Sequence, residues 1–389
     1  MYAMATVAVS AVEDFAWSSS SHASMPEKST IAPSVTFLWK DANELTLGGL
    51  AFMGEERESP YDRLPLSAKS VVADGVWTKS KECAGVHVDF ITNAQEIWVD
   101  YTLLESTLAF NGMNADAHSG VDLFAFDTAT SMYRWVSTYE NITYPNASIG
   151  VVAHGLEVFT AQYTEYRLNF PLYNRVGNLK IGVPKVDGAI FEASDVKKAN
   201  PIVWYGTSIA QGKAAQIPSS SYITQLNLRN YPKVDILNFG FSSNGHMDLE
   251  VMRYLNQIND VRAFIIDCLP NMSDDEVANK TIPLVENIRA NHNYIMPIIL
   301  VESATYGYEW FNTTATKYQV EKRATLRRCY DTLVSAGVQG LYYVEGGMII
   351  DGSSEKSWAY QVDGTHPSDL GMYKMYSFWN SYLSDLSLI

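Results

Sequence analysis

The chain changes its hydrophobic rhythm once, across the polar stretch Asp187 to Asn200, and that change limits the folds open to its 389 residues. Before it, from about Ser34 to Ile190, apolar and polar residues alternate or nearly alternate. Val86–Ile91, Glu96–Thr102, Val121–Phe126, Met132–Val136 and Glu165–Phe170 are rich in β-branched and aromatic residues and are separated by Gly, Asn, Asp and Pro. With no convincing helical stretch among them, these short strands predict an antiparallel, jelly-roll-like β-sandwich.

After the switch, near-continuous apolar runs take over: Ile202–Tyr205, Val234–Phe239, Ala263–Cys268, Ile298–Val301 and Leu341–Val344. Helical patterns separate them. Ser273-Asp-Asp-Glu276 is a capping box opening a helix towards Asn291, with Val277, Ile282, Val285 and Ile288 on its apolar face. Thr316 to Ala336 reads as a second helix closed by Gly337. Tyr373, Tyr376, Trp379 and Leu383 fall at helical spacing in a terminal helix, as a packing stripe would. Buried strands alternating with helices predict a parallel sheet covered on both faces, an α/β fold. The expected division is a flexible lead-in or signal remnant over 1–30, a β-sandwich accessory domain over 31–197 and an α/β domain over 198–389.

Composition excludes several functions. A net charge of −15 argues against nucleic acid or an anionic membrane surface as a partner. No apolar run approaches the roughly 20 residues of a membrane span. Cys83, Cys268 and Cys329 are too few and too scattered for a disulfide framework or a zinc site, and read as buried thiols, although one pair can still bridge. No metal-ligand cluster or phosphate-binding glycine loop occurs, so no cofactor is implied. The weakly apolar start and Asn-x-Ser/Thr triplets at Asn141, Asn146, Asn271, Asn279 and Asn312 lean towards a secreted or extracytoplasmic protein. Nothing in the sequence speaks to oligomeric state.

The candidate chemistry sits where the strands of the second half end. Gly206-Thr207-Ser208 follows the first strand, and a serine there stands clear of the sheet edge. Asp363-Gly-Thr-His366 follows the fifth. Histidine moves protons near neutrality, and a carboxylate three residues earlier can orient its ring. Gly240 follows the second strand and Asn271 the third. In an open parallel sheet all carboxyl ends share one rim, so these separate blocks converge. Asp351 is a lesser alternative to Asp363 as orienting acid.

Ser208, Asp363 and His366, in this order and spacing, resemble the SGNH (GDSL-type) hydrolase superfamily. Gly120-Val-Asp-Leu-Phe124 resembles the Gly-x-Asp-Leu-Tyr signature of the β-domain that precedes some of its esterases, with Phe124 in place of Tyr. Asp122 itself reads as a strand-end turn residue. The chain departs from the superfamily's pattern in Thr207, where the name-giving motif has Asp, and in Pro-Asn-Met, where Gly-x-Asn-Asp is usual. The resemblance implies a flavodoxin-like sheet, Ser208 as nucleophile, His366 as base and Asp363 as its orienting acid. It places the oxyanion donors at the backbone N–H groups of Ser208 and Gly240 and the side-chain amide of Asn271.

Thr207, Asn244, Tyr306 and Trp310 are expected to line the substrate site. The aromatics Tyr306, Tyr308, Trp310 and Phe311 follow the fourth strand, where they can stack on a sugar ring or pack on the β-domain. His246, beside Asn244, reads as a helix-start polar residue. The expected activity is hydrolysis of small acyl esters on a small molecule or carbohydrate; that these are O-acetyl groups on a carbohydrate is what the resemblance implies. A lipid or thioester acyl hydrolase and a non-catalytic glycan-binding protein are the alternatives.

Overall fold

A computed structural model describes residues 36–139, 141–156, 163–195, 199–352 and 357–389. The lead-in expected over 1–30 lies outside them. The first half pairs into two antiparallel sheets. Their strands are β1 (Phe37–Asp41), β2 (Thr46–Gly48), β3 (His87–Thr92), β4 (Glu96–Leu103), β5 (Asp122–Asp127), β6 (Met132–Thr138), β7 (Asn146–His154), β8 (Thr164–Asn169), β9 (Val176–Pro184) and β10 (Phe191–Ala193). One sheet has the order β1-β9-β4-β7, and the other has β10-β3-β8-β5-β6 with β2 beside β3. The alternation seen in the sequence explains how they pack. Ile97, Val99, Tyr101 and Leu103 from the first sheet meet Val88, Phe90, Leu123 and Leu168 from the second in one core, which makes a sandwich.

Two helices interrupt this half, α1 (Asp74–Ser80) and α2 (Ala115–Ser119), which corrects the expectation that it holds no helix. Helix α1 was hidden because its apolar residues serve the other half. Val76 and Trp77, with Phe52, Leu64, Ala68 and Val72, are buried against Val203, Tyr205, Leu237 and Phe239 of the parallel sheet.

The second half follows the expected alternation. Strands β11 (Pro201–Gly206), β12 (Asp235–Gly240), β13 (Ala263–Asp267), β14 (Ile298–Val301) and β15 (Leu341–Val344) are parallel, in the order β12-β11-β13-β14-β15. Between and after them run α3 (Ser208–Gln211), α4 (Tyr222–Arg229), α5 (Leu249–Leu255), α6 (Asp274–Asn291), α7 (Thr313–Ser335), α8 (Gly346–Ile349), α9 (Ser357–Tyr360) and α10 (Asp369–Asp385). The Ser273–Glu276 capping box forms at the start of α6. In α10 the buried stripe is Met372, Met375, Trp379 and Leu383; Tyr373 instead faces solvent, 57% exposed, one position off the expected stripe.

Thr36–Ile389 forms a single compact unit, and its two halves share polar as well as apolar contacts. Phe124 and Tyr133 of the sandwich pack on Leu228 and Tyr231 beside α4. Fully buried Asp122 accepts from Asn169 Nδ2 at 2.7 Å and from the Ser219 backbone N–H at 2.8 Å, so the strand-end residue ties the sandwich to the loop before α4. Burial pushes its carboxyl up to about 6 despite these donors. Asp122→Ala strands two buried donors, and urea unfolding is expected to show a loss of about 2–4 kcal/mol. A loss under about 0.5 kcal/mol would show that the joint contributes little.

Candidate active site

Strand β11 positions the site. Its four inner residues, Ile202 to Tyr205, are fully buried, and Gly206 ends it between β12 and β13. The strand order reverses there, and in open α/β sheets that crevice, beyond the carboxyl ends, is where ligands bind. Thr207 caps α3, with its Oγ1 accepting from the Ile209 N–H at 3.4 Å, so Thr207 is a buried capping residue instead of a surface that substrate can touch. Ser208 opens α3, and among the described residues its backbone N–H has no partner.

Ser208 Oγ lies 2.9 Å from His366 Nε2, across 158 residues of chain. His366 Nδ1 lies 2.7 Å from Asp363 Oδ2. Asp363 Oδ1 accepts the backbone N–H groups of Thr365 at 3.0 Å and His366 at 2.8 Å. Desolvation pushes the Asp363 carboxyl up, but the His366 backbone N–H, the His366 ring and the Thr365 N–H outweigh it and hold it below the usual range. An ionised Asp363 accepts from Nδ1–H. That assigns the neutral ring's open nitrogen to Nε2, which then accepts the Ser208 proton. The loop bearing Asp363 and His366 is closed at its base, where the Val362 N–H donates to the His366 carbonyl at 2.9 Å. The carboxylate bonded to Nδ1 is that of Asp363, the expected orienting acid, ahead of the lesser alternative Asp351.

The second block departs from expectation. The Gly240 N–H donates to Asn238 Oδ1 at 2.8 Å, so it is already committed and is not an open oxyanion donor. Glycine is required there for another reason: a Cβ would come within 2.3 Å of the Gln211 backbone N, where α3 packs on the end of β12. In the turn that follows, Phe241 N–H donates to the Gly206 carbonyl and Ser242 N–H to Gln211 Oε1. Asn244 N–H donates to the Phe241 carbonyl at 2.8 Å. Ser243 N–H alone in this run has no partner among the described residues, and Ser243 sits at φ +60°. Sequence reading had no signal for it, because a serine in the left-handed region looks like any loop serine.

Asn271 lies in the turn after β13. Its amide is best satisfied with the oxygen accepting from Asn244 N–H and Gly245 N–H, each at 3.1 Å, which leaves the NH2 end as the open donor. Asn244 spends its own side chain on the turn, donating to the Ser242 carbonyl at 2.7 Å, with its oxygen pressed on the Gly75 backbone of α1. His246 braces the same turn, within 3.0 Å of Glu276 Oε1 and 3.2 Å of the Ser243 carbonyl.

The aromatic loop after β14 divides. Tyr306 is 2% exposed and is core, not a sugar platform. Tyr308 stacks on Tyr306 at 5.4 Å, and the Gly307 N–H beside it donates to the Gly364 carbonyl of the Asp363–His366 loop at 2.9 Å. Trp310 is 82% exposed and edge-on to Phe311 at 5.1 Å. Across the site, the Lys213 ammonium lies 4.1 Å from the Phe110 ring, which the sandwich half supplies.

A surface groove of about 550 Å³ lined by Val71, Leu249, Arg253 and Asn287 lies elsewhere and includes none of these side chains. The three cysteines are buried free thiols. No helix among the described residues is long and apolar enough to cross a membrane. No group of three or more His, Cys, Asp or Glu among them is placed to hold a metal ion.

Such a chain of hydroxyl, imidazole and carboxylate, beside unpartnered N–H donors, is equipped for acyl transfer. The GDSL-like lipase/acylhydrolase family model matches residues 199–383, and the GxDLY model, the N-terminus of SGNH-hydrolase-type esterases, matches residues 37–188. The chain belongs to this GDSL/SGNH hydrolase family, of acyl hydrolase or esterase type. Among solved structures it is similar to a protein named as a GDSL-like lipase from Bacteroides ovatus, with 25% identity over 90% of this chain and 98% of that one and a TM-score of 0.80. It shares its fold with a salicylyl-acyltransferase from a tetracycline biosynthetic pathway (16% identity, 92% and 99% covered, TM-score 0.73). The fold also recurs in a family two carbohydrate esterase from Clostridium thermocellum bound to cellohexaose (12% identity, 79% and 94% covered, TM-score 0.54). No curated protein matches the chain.

Buried Asp267, at the end of β13, accepts from Trp204 Nε1 at 3.3 Å and the Tyr222 hydroxyl at 3.2 Å, yet burial pushes its carboxyl up to about 7. The unfolded carboxyl titrates near 4, so the folded state holds this proton more tightly. The group's contribution to stability is complete below pH ~4 and is lost as pH rises through about 7. The stability of Asp267→Asn relative to wild type should therefore rise across that window, by up to ~4 kcal/mol, and level off above it. Urea unfolding at several pH values measures this, and a difference that stays flat with pH would refute the burial argument.

Proposed function

We propose that this protein is a serine esterase that removes small acyl groups, O-acetyl above all, from a carbohydrate or a similar polyhydroxyl compound. The observation that carries the reading is the Ser208–His366–Asp363 hydrogen-bonded chain, at 2.9 and 2.7 Å, at the carboxyl end of β11. His366 Nε2 takes the Ser208 proton as Oγ attacks the ester carbonyl, and returns it to the leaving alcohol; Asp363 steadies the imidazolium. Water then attacks the acyl-enzyme with His366 again as base. Ser208 N–H, Ser243 N–H and the Asn271 NH2 receive the charge on the tetrahedral oxygen.

The carbohydrate part rests on exposed aromatic side chains in the loop after β14 and on α9, which precedes the Asp363–His366 loop in the chain. Trp358, on α9, is 81% exposed and Trp310 is 82% exposed, both free to lie against sugar faces. The carbohydrate esterase from Clostridium thermocellum shows that this fold accommodates such ligands in another protein.

Activated aryl esters of increasing acyl length test the reading. Acetate should be the best substrate, Ser208→Ala should lose at least about 10⁴ in kcat, and Asn271→Ala about 10²–10³. Wild-type rates in the Ser208→Ala protein would refute the mechanism. A preference for long chains would replace the acetyl reading with a lipid-type one. Saturable glycan binding without turnover by wild type would favour a binding protein instead.

A further inference from the structure

A buried polar chain runs from the sandwich-bearing half into the turn that holds Ser243. Glu82, two residues beyond α1, is 1% exposed. Its Oε1 accepts from Lys79 Nζ at 2.6 Å, and its Oε2 accepts from Gln211 Nε2. Gln211, the last residue of α3, is wholly buried, and its Oε1 accepts the Ser242 N–H at 2.9 Å. An ionised carboxylate only accepts and a peptide N–H only donates. Glu82 and Ser242 together therefore dictate which way the Gln211 amide faces. Nearby, the Tyr173 hydroxyl donates to the Ser208 carbonyl at 3.2 Å.

The turn clamped in this way does two things at once. It presents the Ser243 N–H, and through Asn244 N–H and Gly245 N–H it holds the oxygen of Asn271 and so aims its NH2 end. We propose that Glu82 and Gln211 are positioning residues for the hydrolytic reaction, holding the Phe241–Ser242 peptide, and through it the next peptide, so that Ser243 N–H and Asn271 meet the developing oxyanion. This rests on the esterase reading above. It makes the sandwich half part of the reactive geometry instead of an appended module. Glu82 and Gln211 touch no substrate; they act through the turn. Catalytic donors tolerate little displacement, so a loosened turn lowers the chemical step while leaving ground-state binding in place.

The test uses the full chain, an aryl acetate, and rates expressed per Ser208 titrated with a phosphonate ester, so that unfolded protein does not count. Gln211→Leu removes the acceptor for Ser242 N–H; kcat should fall about 10- to 100-fold with KM within about twofold. Glu82→Gln, which keeps size and shape, should lower kcat about tenfold, and it carries the test if Gln211→Leu does not fold. The double exchange Glu82→Gln with Gln211→Glu puts a carboxylate at position 211. That carboxylate accepts both from Ser242 N–H and from the new amide at 82. It should restore kcat to within about threefold of wild type. Single variants with wild-type kcat, a loss confined to KM, or a double variant no better than the singles would overturn the proposal. A wild-type chain inert towards every ester sinks the esterase reading and this inference together, whereas an active wild type with an indifferent Gln211→Leu sinks only the inference.

Discussion

Strand β11 is the fixed point of this molecule. Its side chains alternate between the two cores that cover the parallel sheet: Val203 and Tyr205 lie in one, Ile202 and Trp204 in the other. Hydrogen bonding to β12 on one edge and β13 on the other leaves it no freedom to slide, because a shift by one residue would exchange every side chain between faces. The turn after its end, Thr207 and Ser208, is thereby placed at the point where the strand order reverses. Ser208 inherits that position, and the cap supplied by Thr207 turns the chain into α3 at once. The histidine loop needs only to reach a site that is already rigid, and its own hydrogen bonds, Val362 N–H to the His366 carbonyl and both Asp363 oxygens to the loop, hold it in shape.

Much of this was legible in the amino-acid order, for a reason that also explains what was not. Buried strands announce themselves by unbroken apolar runs, so β11 to β15 were readable almost to the residue. Ser208, Asp363 and His366 were readable because hydroxyl, imidazole and carboxylate chemistry is carried by side-chain type. Backbone donors carry no such label. The family resemblance points to Gly240, and a close backbone approach does exist there, but it serves α3 while the N–H is taken by Asn238. Ser243 has the open N–H and gives no sign of it. Tyr306 and Trp310 are equally aromatic, and only folding decides that one is core and the other solvent-exposed. Helix α1 and the apolar residues before it were missed because their partners, such as Val203 and Phe239, lie more than a hundred positions away, in the other half of the chain.

The joint between the halves is built from groups that are costly to bury. Arg63 is 1% exposed, and burial pulls its guanidinium down to about 10. It donates to the carbonyls of Asn238 at 2.8 Å and Gly240 at 2.9 Å, and also to those of Glu82 and Lys79. An apolar joint of equal area would hold the halves together at lower desolvation cost. What it would lack is direction. Four hydrogen bonds from one planar group tie the end of β12 to the segment that carries Glu82, and few arrangements of the two satisfy all four. The end of β12 also bears backbone carbonyls, whose negative ends would oppose an oxyanion forming on the same rim. Turning the Gly240 carbonyl onto a buried cation removes part of that opposition. The polar interface is thus better understood as setting register and local potential at the reactive edge than as a source of net stability.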